Sequence, residues 1–556
     1  MPGALIRGGR VVDGLGGVAR TADVRVRDGR IVEMGADLRP DGEQKFDAAN
    51  AIVVPGFIDA HTHLDPWLWR DPSFEPLPQH GVTTVVTGNC ALSLAPVGAD
   101  NSALIDMFAY IEDVPADVMA KAVPWDWQSW GDYVRQASKV RSTVHIAPLV
   151  GLSQIRHAVM GEAAFERAAT AAERDAIVAV VRSCLDDGAC GVSLSFIDTD
   201  SSGRPVPSRL ADDAELAAVM TAIVEAGHGI AGFNGAYDQV ERMGGICKAT
   251  GVAATWVQLI THSSKPQHHR DMLAQAARLR EGGANIRPQV SPRPLLFQLN
   301  FTGTIQFMGL ELWNDFANAP IDRKRELVAD EAWRARARHE WDHGIGTMFP
   351  RDDLASVAII PTAHDRAPAS LPGTLAQLHA QRGGHASDLL LDWTAEHDMA
   401  PGLIVTVAND DVDLVAAALC DPNTLIAASD VGAHMQMMAA QGDPSLLLTR
   451  HVMERGDMTL EEAIRRMTWE PAEFLGLTDR GVLAVGKRAD IAIIDLDELE
   501  YLPEELAYGL LGGGAGHFTR PAKGIRATLV DGVATQIDGV LTGARPAGFL
   551  PAHQAA

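Results

Sequence analysis

The sequence has few cysteines, few positive charges and no long apolar run. Its five cysteines are odd in number, scattered and free of any Cys-x-x-Cys pair, a pattern typical of a reducing cytoplasm rather than of a disulfide scaffold. Lys and Arg number 47 against 72 Asp and Glu, and the net charge of −25 argues against a surface for nucleic acid or an anionic membrane. No uncharged apolar run approaches the ~18 residues of a membrane span, and the first residues lack the features of a signal peptide. We therefore expect a cytoplasmic protein with neither nucleic acid nor membrane as a partner.

What the sequence does contain is enough apolar material for a large core. Hydrophobic residues make up 47% of the 556 residues, so disorder is not the default expectation. Both chain ends consist of short apolar stretches punctuated by Asp-Gly or Gly-Gly, which is typical of strands joined by tight turns. Because an isolated hairpin is only marginally stable, we predict that residues 1–54 and 478–546 pair into one small β-sandwich domain.

Between the two ends, short β-branched runs alternate with longer helical patterns, which predicts βα units and a parallel sheet. We predict an α/β fold, a TIM-like (β/α)₈ barrel over residues 55–477, with a long insertion around 293–385. The candidate strands number one more than such a barrel needs, so one of them is misassigned or belongs to an insertion. Pro288 weakens the candidate at 285–290, since proline cannot donate to a sheet ladder. The candidates are 53–60, 83–88, 144–150, 191–196, 229–233, 256–261, 285–290, 403–408 and 424–429.

The first of these candidate strands leads directly into His61-Thr62-His63. Residues i and i+2 of an extended chain point to the same side, so both imidazoles can face one point. Neutral imidazole is the commonest metal-binding side chain. The alternative is a pair of surface histidines that merely alternate, and this short pattern does not decide between the two.

Further polar side chains follow other candidate strands, at the face of a βα-barrel that holds active sites. Each has a structural explanation of its own: a buried Cys is usually inert, a strand-end His is usually hydrogen-bonded, and an Asp often caps a helix. Taken together with His61 and His63, a shared metal centre is the simpler interpretation. The side chains in question are Cys90, Asn234, His262 and Asp430.

This order of residues resembles the amidohydrolase superfamily. The segment 83–96, which contains Gly88-Asn89-Cys90, narrows the resemblance to the D-aminoacylase (N-acyl-D-amino-acid deacylase) family, and Ser429-Asp430 fits it as well. The resemblance implies a hydrolase of carbon–nitrogen bonds other than peptide bonds. It also implies one or two Zn²⁺ ions, a metal-activated water and Asp430 as the general base. The metal ligands that it implies are His61, His63, Cys90, His262 and Asp430.

The chain departs from the family pattern in several places. Where the family has a histidine ligand after the fifth strand, this chain has Asn234, a poor zinc ligand. We therefore expect a second metal to be absent, weakly bound or completed by a residue such as His228. Leu152 stands where the family tends to have the histidine of Gly-His-Ser, and the segment 262–265 is one residue longer than the usual His-x-Lys. Our hypothesis is a site with one tightly held metal ion.

The resemblance favours an N-acyl amino acid, or a related hydrophobic N-acyl amide, as the small-molecule substrate. Hydrolysis of a cyclic amide, urea or carbamate by the same site is the alternative, because loops rather than the fold set the substrate. A non-catalytic homologue kept for binding is a third interpretation, and the sequence leaves homo-oligomerisation open. Either Arg287 or Arg293 could bind a carboxylate bidentately, with structural ion pairing as an equal alternative for each. The candidate substrate-binding residues are Arg287, Arg293, Asn234, Lys265 and His434.

Overall fold

The structure, a computed structural model, is an α/β protein with a mixed sheet at the chain ends and parallel strands between them. None of the described helices is both long enough and apolar enough to cross a membrane. The structure describes residues 3–98, 100–299, 307, 309–344, 349–360, 373–399, 402–512, 515–550 and 552.

Strands from both chain ends share one sheet. They are joined where Val53 lies opposite Ile493 in an antiparallel pair of strands. These two side chains belong to one buried apolar cluster with Ile6 and Val24, as expected for β-branched residues on the buried face of a sheet. The domain boundaries and the sandwich arrangement stay predictions. Across the sheet the strands are Val540–Leu541, Val533–Ile537, Ile525–Val530, Ile491–Ile494, Ile52–Pro55, Ala4–Val11, Arg20–Arg27 and Arg30–Gly35, with Gln44–Asp47 beside Ala4–Val11.

A buried charge network joins this sheet to the parallel strands. Nε2 of His145 lies 3.5 Å from Asp531 Oδ2 and 3.8 Å from Asp490 Oδ1. Each carboxylate is also paired with an arginine, Asp490 with Arg480 at 2.6 Å and Asp531 with Arg488. Because two guanidinium groups already neutralise the two carboxylates, we interpret this His–Asp–Asp cluster as a structural network rather than as a metal site.

Replacing Asp531 with Asn is expected to destabilise the protein most at neutral pH. Burial alone would raise the pKa of Asp531, but His145 and Arg488 lower it to about 2. A carboxyl group of this kind stabilises the fold above its ordinary pKa of 3.8, and the stabilisation is lost as the pH falls towards about 2. Thermal unfolding between neutral pH and about pH 3 should therefore show the melting temperatures of wild type and variant converging. Asp538→Asn, at an exposed turn of the same sheet, is the control, and a deficit for Asp531→Asn that does not change with pH would contradict this expectation.

Parallel strands come from eight stretches of the described chain, and the ends of the first and last stretches are neighbours. The backbone N–H of Asp430 donates to the carbonyl of His61 (3.1 Å), and that of His63 donates to the carbonyl of Val431 (2.8 Å). Polar residues after the first and last strands are thereby brought together. One sheet has the order Phe57–Asp59, Val82–Thr87, His145–Pro148, and the next has the order Val150–Gly151, Gly191–Ser195, Ile230–Asn234, Ala254–Val257, Ile286–Val290, Leu425–Ile426; Val150 follows the strand that ends at Pro148 after one residue.

Helices lie between these strands, and their sequences account for their ends. The helix Ala171–Asp186 begins after a capping box in which the Thr170 hydroxyl accepts from the Glu173 N–H, and its apolar stripe is buried. The other α-helices are Trp67–Arg70, Ser102–Ile111, Ala116–Ala122, Trp130–Ala137, Leu152–Met160, Asp213–Ala226, Tyr237–Thr250, Pro266–Glu281, Glu311–Asn318, Ile321–Ala329, Glu331–His343, Leu375–Arg382, Ala386–Glu396, Val412–Cys420, Asp443–Leu446, Leu460–Met467 and Trp469–Phe474, with a π-helix at Leu447–Glu454.

The surplus strand candidate is the one at 403–408. Gly402–Ala408 lies antiparallel between Leu295–Leu299 and Val357–Ile360 in a separate three-stranded sheet. This sheet belongs to the long segment between the last two parallel strands, parts of which (300–306, 308, 345–348, 361–372 and 400–401) lie outside the described residues. The bounds 293–385 for an insertion stay a prediction. Short strand pairs also occur at Glu500–Tyr501 with Ala522–Lys523 and at Glu505–Tyr508 with Gly516–Thr519.

The doubt raised by Pro288 is wrong, because its missing N–H costs no ladder hydrogen bond. The carbonyl of Val290 accepts from the N–H of Ala427 (2.9 Å), so Val290 faces the last parallel strand. Pro288, two residues earlier, faces the same side. The ladder between this strand and the last parallel strand begins at Gln289, which lies opposite Leu425. Pro288 precedes that point, so its nitrogen faces no residue of the ladder.

Candidate metal centre

His61 and His63 lie directly after the first parallel strand, and both are buried. Their ring centroids are 5.3 Å apart. Both Nε2 atoms face Oδ1 of Asp430, which is 3.7 Å from His61 and 3.2 Å from His63. The two imidazoles therefore converge on one carboxylate, which follows the last parallel strand.

The turn after the second strand brings Cys90 to the same place. The N–H of Gly88 donates to Oδ2 of Asp65 (3.1 Å), which bonds this turn to the segment that carries the two histidines. Sγ of Cys90 lies 3.6 Å from Nε2 of His61. Burial, and then the nearby carboxylate of Glu112, raise the pKa of the Cys90 thiol well above its ordinary value. A bound cation would be needed to hold this sulfur as a thiolate at neutral pH.

Replacing Gly88 with Ala is expected to destabilise the protein by more than about 3 kcal/mol and to weaken metal binding. Gly88 has φ +75°, and a Cβ atom there would lie 2.0 Å from the carbonyl oxygen of Leu149. Gly227→Ala is a matched control, because Gly227 also has a positive φ (+74°) but no atom within 4 Å of its Cβ position. The control should cost only about 1–2 kcal/mol of backbone strain. If chemical denaturation gave the two variants equal losses in free energy of unfolding, the close approach to Leu149 would be unimportant.

The loop that carries Asp430 is held by hydrogen bonds from both sides. Asp430 has φ +67°, which is uncommon for a residue other than glycine and needs support from its surroundings. The hydroxyl of Ser429 donates to Oδ2 of Asp59 (2.5 Å) and lies 3.1 Å from the carbonyl of His61. From the other side, the Arg293 guanidinium donates to the Ser429 carbonyl. These contacts fix the carboxylate of Asp430 above the histidines.

The donor set and its spacing fit a zinc ion. Zinc takes imidazole nitrogen, thiolate sulfur and carboxylate oxygen, and a tetrahedral site places such ligand atoms about 3.3–3.6 Å apart. The spacings here are 3.2 Å and 3.7 Å from Asp430 to the two histidines and 3.6 Å from Cys90 to His61. Nε2 of His63 is buried and forms no hydrogen bond of good geometry among the described residues, although buried polar atoms usually have a partner. A cation between the ligand atoms would satisfy this nitrogen.

The electrostatics of the cluster favour a cation. Burial would lower the pKa of His63, but the carboxylates of Glu112 and Asp430 raise it to about 9. Burial, and then the positive charge of His63, lower the pKa of His61 to about 4. Burial would raise the pKa of Asp430, but His63 lowers it below its usual range. Without a metal ion, a proton on His63 supplies the positive charge that these carboxylates require.

Two further carboxylates, Glu112 and Asp198, border the cluster, and the sequence predictions missed both. Glu112 follows the helix Ser102–Ile111, and its Oε1 lies 3.3 Å from Nδ1 of His63. Asp198 comes three residues after the end of a parallel strand, so a search for strand-end carboxylates could have found it. Glu112 follows a helix rather than a strand, and no local pattern points to it.

His262 lies outside the groups of potential ligands. Three groups of His, Cys, Asp or Glu side chains in the described part of the chain have ligand atoms within 4.8 Å of one another, and His262 is in none of them. It follows the strand Ala254–Val257, in a loop where the N–H of Thr261 donates to Oδ1 of Asn409 (3.0 Å). Its role as a ligand stays a prediction from the family resemblance.

The fifth parallel strand ends in Asn234, where the family has a histidine ligand. His228 does not replace that histidine, because both of its ring nitrogens face backbone carbonyls. Nδ1 and Nε2 of His228 lie 3.1 Å and 3.2 Å from the backbone carbonyls of Ala226 and Leu185. Asn234 donates through Nδ2 to Oδ2 of Asp198 (3.3 Å). The strand end therefore presents an amide bonded to a carboxylate.

Comparison with known proteins decides the family. Residues 44–536 match the model of the Amidohydrolase family. The chain belongs to this family. The resemblance predicted from the sequence is confirmed, and so is the enzyme class, a hydrolase of carbon–nitrogen bonds other than peptide bonds. The N-acyl-D-glutamate deacylase of Alcaligenes xylosoxydans xylosoxydans is 27% identical over 517 residues, which are 89% of this chain and 87% of that protein.

Two solved structures share the fold of this amidohydrolase. The crystal structure of D-aminoacylase has a TM-score of 0.67 at 23% identity, over 98% of this chain and 99% of that one. N-acyl-D-glutamate deacylase from Bordetella bronchiseptica has a TM-score of 0.65 at 24% identity, over 99% of both chains. That second structure holds zinc and a phosphonate inhibitor that mimics the tetrahedral intermediate.

In this amidohydrolase both predicted substrate-binding arginines have carboxylate partners within the chain. Arg287 lies 3.2 Å from Oε1 of Glu470, and Arg293 lies 3.1 Å from Oδ1 of Asp443. Arg293 is also buried, as are its contacts with the loop before Asp430. These ion pairs correspond to the structural alternative that the sequence left open, and they leave neither guanidinium without an internal anion.

The other two predicted substrate contacts, Lys265 and His434, lie in different surroundings. Lys265 is exposed at the start of the helix Pro266–Glu281. His434 is close to Asp430, whose charge acts on its imidazole. The ring of Phe297 stands perpendicular to that of His434 at 5.9 Å between centroids. An apolar ring and an imidazole thus lie together beside the metal centre.

Proposed function

We propose that this amidohydrolase cleaves the amide bond of an N-acyl amino acid, or of a related hydrophobic N-acyl amide, with a zinc-activated water. The observation that carries the proposal is that His61, His63 and Cys90 form one group of potential ligands, and that Asp430 lies beside both histidines. The family resemblance adds His262 as a further ligand. The relative from Alcaligenes xylosoxydans xylosoxydans supports the substrate class, because it is named N-acyl-D-glutamate deacylase.

A zinc ion bound by these residues would supply a water of lowered pKa and polarise the scissile carbonyl. The carboxylate of Asp430 lies 3.2 Å from His63 and 3.7 Å from His61, and a cation held by these histidines would keep it ionised at neutral pH. It can therefore accept a hydrogen bond from the attacking water, take its proton as general base and deliver that proton to the leaving amine. The contacts of Ser429 with Asp59 and Arg293 hold this carboxylate in place before the substrate arrives.

The proposed substrate contacts are side chains near the site that form no ion pair among the described residues. The ring of Phe297, which is buried, packs against His434 beside the site and would border a bound acyl group. Since Arg287 and Arg293 are already ion-paired, Lys265 and His434 are the leading candidates for contact with a substrate carboxylate. Asn234, bonded to Asp198, completes the proposed set.

The proposal is tested with a substrate panel on the zinc-loaded protein. The panel holds N-acyl-D-amino acids, their L enantiomers, the matching N-acyl amides without a carboxylate, and hydantoins. We expect release of free amine from the linear N-acyl compounds, and a comparison of the first three sets reveals the stereochemistry and the need for a carboxylate. Turnover of hydantoins alone would favour the cyclic-amide alternative. Failure to hydrolyse any member of the panel would overturn the proposal.

We also infer that the eight parallel strands close into a (β/α)₈ barrel within residues 55–477. Support comes from the backbone bonds between the segments after the first and last strands, such as that from His63 to Val431. The predicted small domain of residues 1–54 and 478–546, and the cytoplasmic location, belong to the same proposal. The mixed sheet and the five free cysteines are consistent with them.

A further inference from the structure

Glu112 is a buried carboxylate whose position is tightly determined. Its side chain is 3% exposed, and it directly follows the helix Ser102–Ile111. The N–H of Glu112 donates to the Phe108 carbonyl (3.1 Å), and its carbonyl accepts from the N–H of His434 (2.8 Å). The helix end is thereby bonded to the segment that follows Asp430. The chain thus carries this carboxylate into the metal centre from an element outside the parallel strands.

The neighbouring residue strengthens this connection. Asp113 has φ +56°, which turns the chain sharply after Glu112. Oδ1 of Asp113 accepts from Nε2 of Gln436 (3.1 Å). Two successive residues therefore bond the end of one helix to the segment 434–436. This double attachment fixes the backbone at Glu112, whose carboxylate lies at the cluster, 3.3 Å from Nδ1 of His63.

Among the described residues, Glu112 has no arginine or lysine partner. Its one ion-pair partner is Nδ1 of His63, at 3.3 Å from Oε1. A buried carboxylate is costly unless it is paired. The imidazole of His63 is therefore the group that stabilises Glu112 in this position. The same imidazole has Nε2 at 3.2 Å from Oδ1 of Asp430. One ring therefore has a different carboxylate at each nitrogen.

We propose that Glu112 is a positioning residue of the metal centre, which holds Nδ1 of His63 and so presents Nε2 to the metal beside Asp430. Metal-binding histidines commonly donate their second N–H to a carboxylate, which fixes the tautomer and ring orientation and makes the ligand more basic. Glu112, His63 and Asp430 also form one of the groups whose ligand atoms lie within 4.8 Å of one another. This inference rests on the metal site of the proposed function but not on the reaction catalysed there.

The test is the zinc dissociation constant of the chelator-stripped full-length protein, measured by competition with a chromophoric chelator at fixed pH. Glu112→Gln should weaken zinc binding by about 10–100-fold, as loss of such a partner does in known sites. Glu112→Ala should do at least as much. Asp113→Asn is the matched control, because it removes the adjacent carboxylate charge and keeps an acceptor for Gln436, and it should bind zinc like wild type. Melting temperatures of the metal-free proteins show whether each variant is folded. If the Ala variant does not fold, the isosteric Gln variant alone provides the test.

The absorption spectrum of the cobalt-substituted protein separates positioning from direct ligation. If Glu112 only orients His63, Glu112→Gln should keep the wild-type cobalt spectrum at saturating metal. A changed coordination spectrum would overturn the proposal by making Glu112 itself a ligand, and an unchanged zinc affinity in both Glu112 variants would overturn it outright. A wild-type protein that binds no zinc would overturn both this inference and the proposed function. A protein whose zinc affinity depends on Glu112 as expected, but which hydrolyses nothing on the panel, would overturn the proposed function alone.

Discussion

Asp430→Asn is expected to lower kcat/KM for a good N-acyl substrate by about 10³-fold or more, which corresponds to about 4 kcal/mol of transition-state stabilisation. The amide keeps the size of the carboxylate but cannot take a proton from water, and a positioned general base alone contributes about 10²–10⁴-fold. The variant also loses an anionic oxygen that lies 3.2 Å and 3.7 Å from the two histidines, so zinc binding should weaken as well. Kinetics at saturating zinc separate the loss of the base from the loss of metal.

Asp421→Asn is the matched control for this variant. Asp421 lies shortly before the same strand that leads to Asp430, and its Oδ1 accepts from the backbone N–H of Asn423 (2.8 Å), which an amide oxygen can replace. It should keep wild-type activity. If Asp430→Asn turned over substrate at the wild-type rate with zinc bound, Asp430 would not be the base and the proposed mechanism would be wrong.

Removal of metal is expected to lower hydrolysis at least about 100-fold, because water without a metal ion keeps a pKa near 15.7 instead of about 7. Activity should return on addition of zinc to the stripped protein. Metal analysis of the reloaded protein should give one tightly bound zinc ion per chain, since Asn234 stands where the family has another imidazole and His228 is bonded elsewhere. Two tightly bound ions would contradict the single-metal hypothesis, and full activity of a protein verified to be free of metal would contradict metal dependence.

Cysteine variants provide the internal comparison for the metal experiment. Cys90→Ala should bind less zinc, because its sulfur lies 3.6 Å from Nε2 of His61. Cys247→Ala changes a buried cysteine in the helix Tyr237–Thr250 and should keep its zinc. Equal zinc content in the two variants would remove Cys90 from the ligand set.

Local sequence was a good guide wherever a strand or helix was followed by a characteristic motif. The His-x-His pair, the Gly-Asn-Cys turn and Ser429-Asp430 each follow a short apolar run, and the structure brings their side chains together. The ends and the buried stripe of the helix Ala171–Asp186 also depend on adjacent residues, since its cap and its apolar pattern are local features. The sequence left open which of the nine candidate strands was surplus, because a β-branched run shows that a strand forms but not which sheet it joins.

By itself, the sequence determined the family and the enzyme class and indicated the candidate side chains, since these depend on motifs of a few residues and their order. Only the tertiary structure decided which of the predicted residues share one place. It added Glu112 from a helix end, left His262 outside the groups of ligand atoms, and gave Arg287 and Arg293 partners of their own. The physical reason is that a motif specifies local backbone geometry, whereas a buried ion pair depends on contacts between segments that are tens to hundreds of residues apart in the chain.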